Sequence, residues 1–167
     1  MRVSNSIASP KRKSGFTLLE LSVTIMIIGI LAAVAVPVYS DSLARFRVDI
    51  AAQRIAQDIA TTQRSARQTN STQTVTFTTS DDSCVINGLS SLDRVSQPYR
   101  VSFNQSPYQV DISSLVTAAN PSSQLPSVSV AFNSFGMPDQ GISVTVRAGA
   151  FQKRVDLAPI SGRVTIQ

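Results

Sequence analysis

The sequence predicts an α+β protein: a long N-terminal helix, membrane-spanning in its first half and amphipathic in its second, packed on an antiparallel β-sheet domain. Three observations predict it. Residues 16–36 are an almost unbroken apolar run. At about 20 residues it is long enough to cross the roughly 30 Å hydrocarbon core of a bilayer as a helix. Beyond Pro37, apolar residues recur at helical spacing, at positions 48, 52, 55, 59, 62 and 66. After Asn70 the period changes from 3.6 to two, and short alternating segments separated by turn signals fill the rest of the chain.

The order of the chain gives four stretches. Residues 1–15 read as a leader with a basic cluster at Lys11, Arg12 and Lys13, and residues 1–10 carry no periodic pattern. Residues 16–37 read as the span. Residues 38–69 continue the helix, with Val48, Ala52, Ile55, Ile59, Thr62 and Ala66 as one face. Leu43, Phe46 and Ile50 form a second lane at its start. Arg45, Arg47, Asp49, Arg54, Asp58, Arg64 and Arg67 fall largely off the main stripe. Pro37 removes one backbone donor, which kinks a helix rather than ending it. The whole helix, 16–69, would be about 80 Å long at 1.5 Å per residue.

Residues 70–167 read as the β domain. Val75 and Phe77 alternate with threonines. Tyr99/Val101/Phe103, Tyr108/Val110/Ile112, Val128/Val130/Phe132, Ile142/Val144/Val146, Phe151/Lys153/Val155/Leu157 and Val164/Ile166 alternate in turn. Turn signals fall at Asn87-Gly88, Asn120-Pro121, Met137-Pro138-Asp139 and Ala148-Gly149. Close turns imply antiparallel pairing with one buried face, and the helix stripe is the partner for that face. Residues 80–98 and 113–127 are Ser-rich and weakly patterned, and read as surface loops with a short helix near Leu115 to Ala119.

Charge and composition exclude much. The chain of 167 residues carries a formal charge of +5. Four of its 15 basic residues (Arg2, Lys11, Arg12, Lys13) precede Gly15 and all 10 acids follow it, so the remainder carries 11 basic residues against 10 acids. The basicity therefore sits in the leader, where it holds an N-terminus cytoplasmic by the positive-inside rule and sends the rest across the inner membrane. The sequence has no histidine. Histidine acid-base chemistry and histidine metal ligation are excluded, and no other nucleophile pair, phosphate loop or metal-ligand spacing stands out. No catalytic residue, metal or cofactor is expected. The lone Cys84 cannot pair within the chain and reads as a small buried apolar residue.

Glu20 is the acid inside the apolar run, and a carboxylate in a span is costly enough to count as functional. Three readings compete for this stretch. A secretory signal peptide has an apolar region of about 7 to 15 residues followed by a small-residue cleavage site; this run is longer, carries an acid and has its glycine in front. A plain anchor fits the length but gives Glu20 no task. The third reading comes from the residues Lys-Arg-Lys-Ser-Gly-Phe-Thr-Leu-Leu-Glu at 11–20, which resemble a type IV prepilin leader. Prepilins and pseudopilins are cut after a glycine that follows basic residues. Their new first residue is usually a phenylalanine that is then N-methylated, and a glutamate lies four residues on. Gly15, Phe16 and Glu20 occupy those places, and Pro37 matches the proline of many pilin spans.

The resemblance implies a pilin-like fold, cleavage between Gly15 and Phe16 by a prepilin peptidase, methylation of Phe16, and pairing of Glu20 with the terminal amine of a neighbouring pilin or pseudopilin in a filament. It implies a single-pass protein of the bacterial inner membrane with its C-terminal domain periplasmic. Phe132-Asn-Ser-Phe-Gly136, Gly141-Ile-Ser-Val and Ser161-Gly162-Arg163-Val164 resemble the pseudopilin H and FimT branch, of type II secretion or type IV pili. Some FimT proteins bind DNA through a Gly-Arg-x-Arg tail. Here Thr165 stands in place of the second arginine. Arg147, Lys153, Arg154 and Arg163 are the candidates for a nucleic-acid surface, against the alternative of a charged strand edge that resists aggregation. A filament subunit, a pilus-tip DNA receptor and an anchored periplasmic binding domain are the three functions to separate.

Overall fold

The structure, a computed structural model, describes residues 15–90 and 97–167. The leader residues 1–14, with their basic cluster, and positions 91–96 of the expected loop lie outside the described residues. The chain divides into two units, one ending at Tyr39 and the other comprising Ser40–Gln167. A single helix, α1 (Leu18–Thr69), contributes to both and holds Pro37 inside it.

The first unit is the apolar part of α1. Every side chain from Phe16 to Tyr39 is exposed, including Leu18 at 86% and Leu19 at 75%. A core helix of a water-soluble protein would bury such a run, since each apolar side chain of this size gains about 1.5–3 kcal/mol from burial. Here no residue of the most apolar window is buried by the chain itself. Ser22 and Thr24 sit in this segment without orphaned hydroxyls, because they donate to the carbonyls of Leu19 (2.8 Å) and Glu20 (2.8 Å) one turn back.

The second unit packs the rest of α1 against two four-stranded antiparallel sheets. One has the order β3-β2-β1-β5, from β1 (Gln73–Thr78), β2 (Ser83–Ser90), β3 (Pro98–Ser102) and β5 (Ser127–Phe132). The other has the order β4-β6-β7-β8, from β4 (Asp111–Thr117), β6 (Ile142–Ala148), β7 (Phe151–Leu157) and β8 (Val164–Ile166). Val48, Ala52, Ile55, Ile59, Thr62 and Ala66 are all buried, so the sequence stripe is the face that packs. Val75, Phe77, Val128, Val130 and Phe132 meet it from the first sheet, and Val144, Val146, Val155 and Leu157 from the second. The β6–β7 hairpin is also pinned to the start of this helical half. Lys153 Nζ lies 2.7 Å from Asp49 Oδ1, and the Arg45 guanidinium stacks over the Phe151 ring at 4.4 Å.

Six expectations are corrected. The stretch 80–98 is not a loop throughout, because Ser83–Ser90 forms β2 and pairs with both β1 and β3. Asn87-Gly88 does not end a strand; it lies inside β2, where the register against β3 shifts. Leu115 belongs to β4 and not to a helix, and the chain turns after it through a Thr117–Asn120 bridge. Tyr108 and Val110 precede β4 rather than lying in it, and Tyr108 packs on Phe103 with ring centroids 5.4 Å apart. On the helix, Phe46 of the second lane is 60% exposed. Asp58, expected off the stripe, is 4% exposed. The reason is width: α1 buries a second lane at 51, 55, 58, 62 and 65 beside the first. Alanine, aspartate and serine mark that lane, so hydropathy passes over it.

Candidate functional site

The candidate site is the start of α1. Thr17 has no helical assignment and Leu18 is the first helical residue. The Thr17 carbonyl accepts the Leu21 N–H (3.1 Å), and its Oγ1 accepts the Glu20 N–H (3.2 Å). Thr17 is therefore the N-cap, and Glu20 stands three positions into the helix. Thr-Leu-Leu-Glu has the spacing of a capping box, a signal present in the sequence that hydropathy does not carry. Glu20 is exposed in the first turn, where the helix dipole favours a carboxylate. Phe16 is 69% exposed just ahead of the cap. Gly15 is exposed too, and among the described residues no atom lies within 4 Å of where a Cβ on it would stand. Among the described residues nothing requires glycine at that position.

The C-terminal motifs meet at the other end of α1. Gly136 and Gly162 have φ of 72° and 62°, the left-handed region. Both carbonyls accept from Gln63 Nε2, at 2.9 and 3.3 Å, while Arg67 Nε donates to the Phe135 carbonyl at 2.9 Å. A Cβ on Gly136 would stand 2.3 Å from Arg67 Nε, and one on Gly162 2.4 Å from Gln63 Nε2. The Phe-x-x-x-Gly and Gly-Arg turns are thus two loops gripped by the last turns of one helix.

The four basic candidates do not share one face. Lys153 lies in register with buried Val146, on the helix-facing side, and pairs with Asp49. Arg154 lies on the outer face opposite Thr145, pairs with Asp156 at 2.7 Å and donates to Ser143 Oγ at 3.0 Å. Arg147 is exposed opposite Asp111, and Arg163 is exposed beside Asp156 and Thr165 in a shallow hollow.

A polar cluster that the sequence does not announce lies under β3. The Tyr99 hydroxyl donates to Asp58 Oδ1 (3.0 Å), Arg54 Nε lies 3.2 Å from the same oxygen, and the Arg54 guanidinium donates to the Tyr99 hydroxyl. Burial raises the Asp58 carboxyl above its ordinary range, with Arg54 and Tyr99 opposing it. Burial, then Asp58, pushes the Tyr99 phenol up to about 12. Cys84 is fully buried nearby, and burial raises its thiol well above the ordinary value.

Comparison with known proteins bears on this arrangement. Residues 10–36 match the prokaryotic N-terminal methylation motif. The type IV narrow pilus major component PilA5 of Thermus thermophilus is 38% identical over 97 residues, covering 84% of that protein and 49% of this chain. The chain belongs to the type IV pilin family. Other pilin relatives match over shorter stretches. A fimbrial protein of Moraxella nonliquefaciens is 45% identical over 58 residues, and this chain spans 38% of its length. A Pseudomonas aeruginosa fimbrial protein is 48% identical over 46 residues, of which 30% of its length is spanned. The pilin fold is matched more widely. The crystal structure of the type IV minor pilin FimU of Pseudomonas aeruginosa superposes with a TM-score of 0.51 at 9% identity, covering 74% of this chain and 90% of that one. One long N-terminal helix packed on antiparallel sheets is the architecture expected of a pilin, and it is the one found.

Proposed function

We propose that this pilin is a minor pilin or pseudopilin: a non-enzymatic structural subunit cut between Gly15 and Phe16 by a prepilin peptidase, methylated at Phe16 and added to a filament. The observation that carries the reading is an apolar helix, Leu18 onward, whose first half none of the described residues covers, preceded by a glycine that none of the described residues requires. Both features make sense when the partners are outside the chain. The membrane covers the helix before assembly and neighbouring helices cover it afterwards, while a peptidase reads the glycine. Residues 1–15 are then the leader, 16–37 the span, 38–69 the amphipathic half and 70–167 the β domain. The basic leader keeps the N-terminus cytoplasmic and the β domain periplasmic.

Glu20 serves assembly in this reading. Cleavage creates a cationic amine on Phe16, and a carboxylate in low dielectric gains far more from a cation than it would in water. The amine of one subunit and Glu20 of another offset each other's desolvation. The test is Glu20→Ala, expressed with the other filament components. Processing and membrane insertion persist, and the variant is lost from the sheared filament fraction. Entry into filaments at wild-type efficiency would make Glu20 a passive acid.

The likeness of 132–136 and 161–164 to the pseudopilin H and FimT branch favours a minor position in a type II secretion pseudopilus or a type IV pilus. A DNA-receptor reading has less to stand on. Lys153 and Arg154 are engaged with Asp49 and Asp156, and Thr165 replaces the second arginine of the tail.

A further inference from the structure

We infer that Thr17 is a positioning residue for leader removal: by capping α1 it holds the Gly15–Phe16 peptide outside the helix, where a peptidase can take it extended. The inference rests on the reading of Gly15–Phe16 as the processing junction and adds a residue to it. The helix begins at Leu18 because Thr17 Oγ1 and the Thr17 carbonyl take the N–H groups of Glu20 and Leu21. Gly15 and Phe16 stay exposed and non-helical.

The position of the cap matters because of what hydrolysis needs. Water adds across the Gly15–Phe16 bond, giving a Gly15 carboxylate and a Phe16 amine, and the attacked atom is the Gly15 carbonyl carbon. In a helix that started earlier, the Gly15 carbonyl would accept the Leu19 N–H. Its scissile peptide would then be wound into the first turn. An apolar run beside a membrane favours such winding, since unsatisfied N–H groups are costly there. Thr17, the second residue after the junction, opposes it by satisfying the Glu20 N–H. The next capping side chain upstream is Ser14. A cap at Ser14 would make Gly15 and Phe16 the first two helical residues. It is Thr17 that caps, and the junction ahead of it stays outside the helix.

The test follows cleavage of the full-length precursor in membranes by a prepilin peptidase, read by mass. Wild type, Thr17→Ser and Ser14→Ala are cut at similar rates. Thr17→Val, equal in shape but unable to accept, is cut about five-fold more slowly, the size of a lost N-cap. Adding Ser14→Ala to Thr17→Val restores much of the rate, because the competing cap is gone. Thr17→Val cut at the wild-type rate overturns the inference, as does a slow Thr17→Val that Ser14→Ala fails to relieve, which would mean that the peptidase reads the threonine itself. An uncut wild-type precursor overturns the processing reading beneath it instead.

Discussion

The Tyr99 hydroxyl donates to the Asp58 carboxylate across 3.0 Å and so ties an edge strand to the buried face of α1. Asp58 is nearly inaccessible, so its lone pairs need donors, and Tyr99 and Arg54 supply them. Removing one partner leaves a buried acceptor short of a donor. Tyr99→Phe in a fragment comprising Ser40–Gln167 should therefore cost about 1–3 kcal/mol. Urea unfolding measures it, and an unchanged midpoint would mean that β3 is held by its ladder alone.

The same carboxylate makes stability depend on pH. Burial raises the Asp58 carboxyl in the fold above the ordinary carboxylate range. The folded state then holds the proton more tightly than the unfolded chain, so stability falls as pH rises through the folded pKa and is fully present below the unfolded one. Asp58→Asn removes this dependence. Subtracting the stability of Asp58→Asn from that of the wild type should give a difference that grows in favour of the wild type as pH is lowered from 7 to about 3. A difference that is flat or of opposite slope would show that Arg54 and Tyr99 outweigh burial.

Ile55 and Ile59 are fully buried where the helix meets the sheets. Each Ile→Ala change should cost about 2–5 kcal/mol in the same fragment. Unchanged thermal stability in both would separate the helix from the sheet core.

Gly162 joins a left-handed backbone to a side chain of α1. Gly162→Ala places a Cβ 2.4 Å from Gln63 Nε2 at a φ of 62°. It should cost about 1–3 kcal/mol, and Gln63→Ala added to it should relieve the clash but not the backbone strain. A double variant as stable as Gln63→Ala alone would mean that the turn tolerates alanine.

These residues also mark what the sequence made legible. The stripe from Val48 to Ala66 was readable because its residues are apolar and the helix buries them on one face. Asp58 was not, because a buried acid reads as a surface one until its partners are known, and Tyr99 comes from a strand 41 residues away. β2 is hard to read because half of it is polar and Asn87-Gly88 imitates a turn. The hairpin β6–β7 was readable because strict alternation meets at a glycine turn. At the N-terminus, Gly15, Phe16 and Glu20 stood out by motif. Thr17 did not, because its part is a hydrogen bond to a backbone N–H and not a charge or an apolar contact. The basic residues near the tail looked like a patch in one dimension, and strand alternation sends Lys153 to the opposite face from Arg154.

Whether this pilin is a processed filament subunit is read from the mass of its N-terminal peptide after extraction from membranes. A processed subunit begins at Phe16 and carries one methyl group on its amine. An intact Met1, or a first residue beyond Pro37, would contradict it.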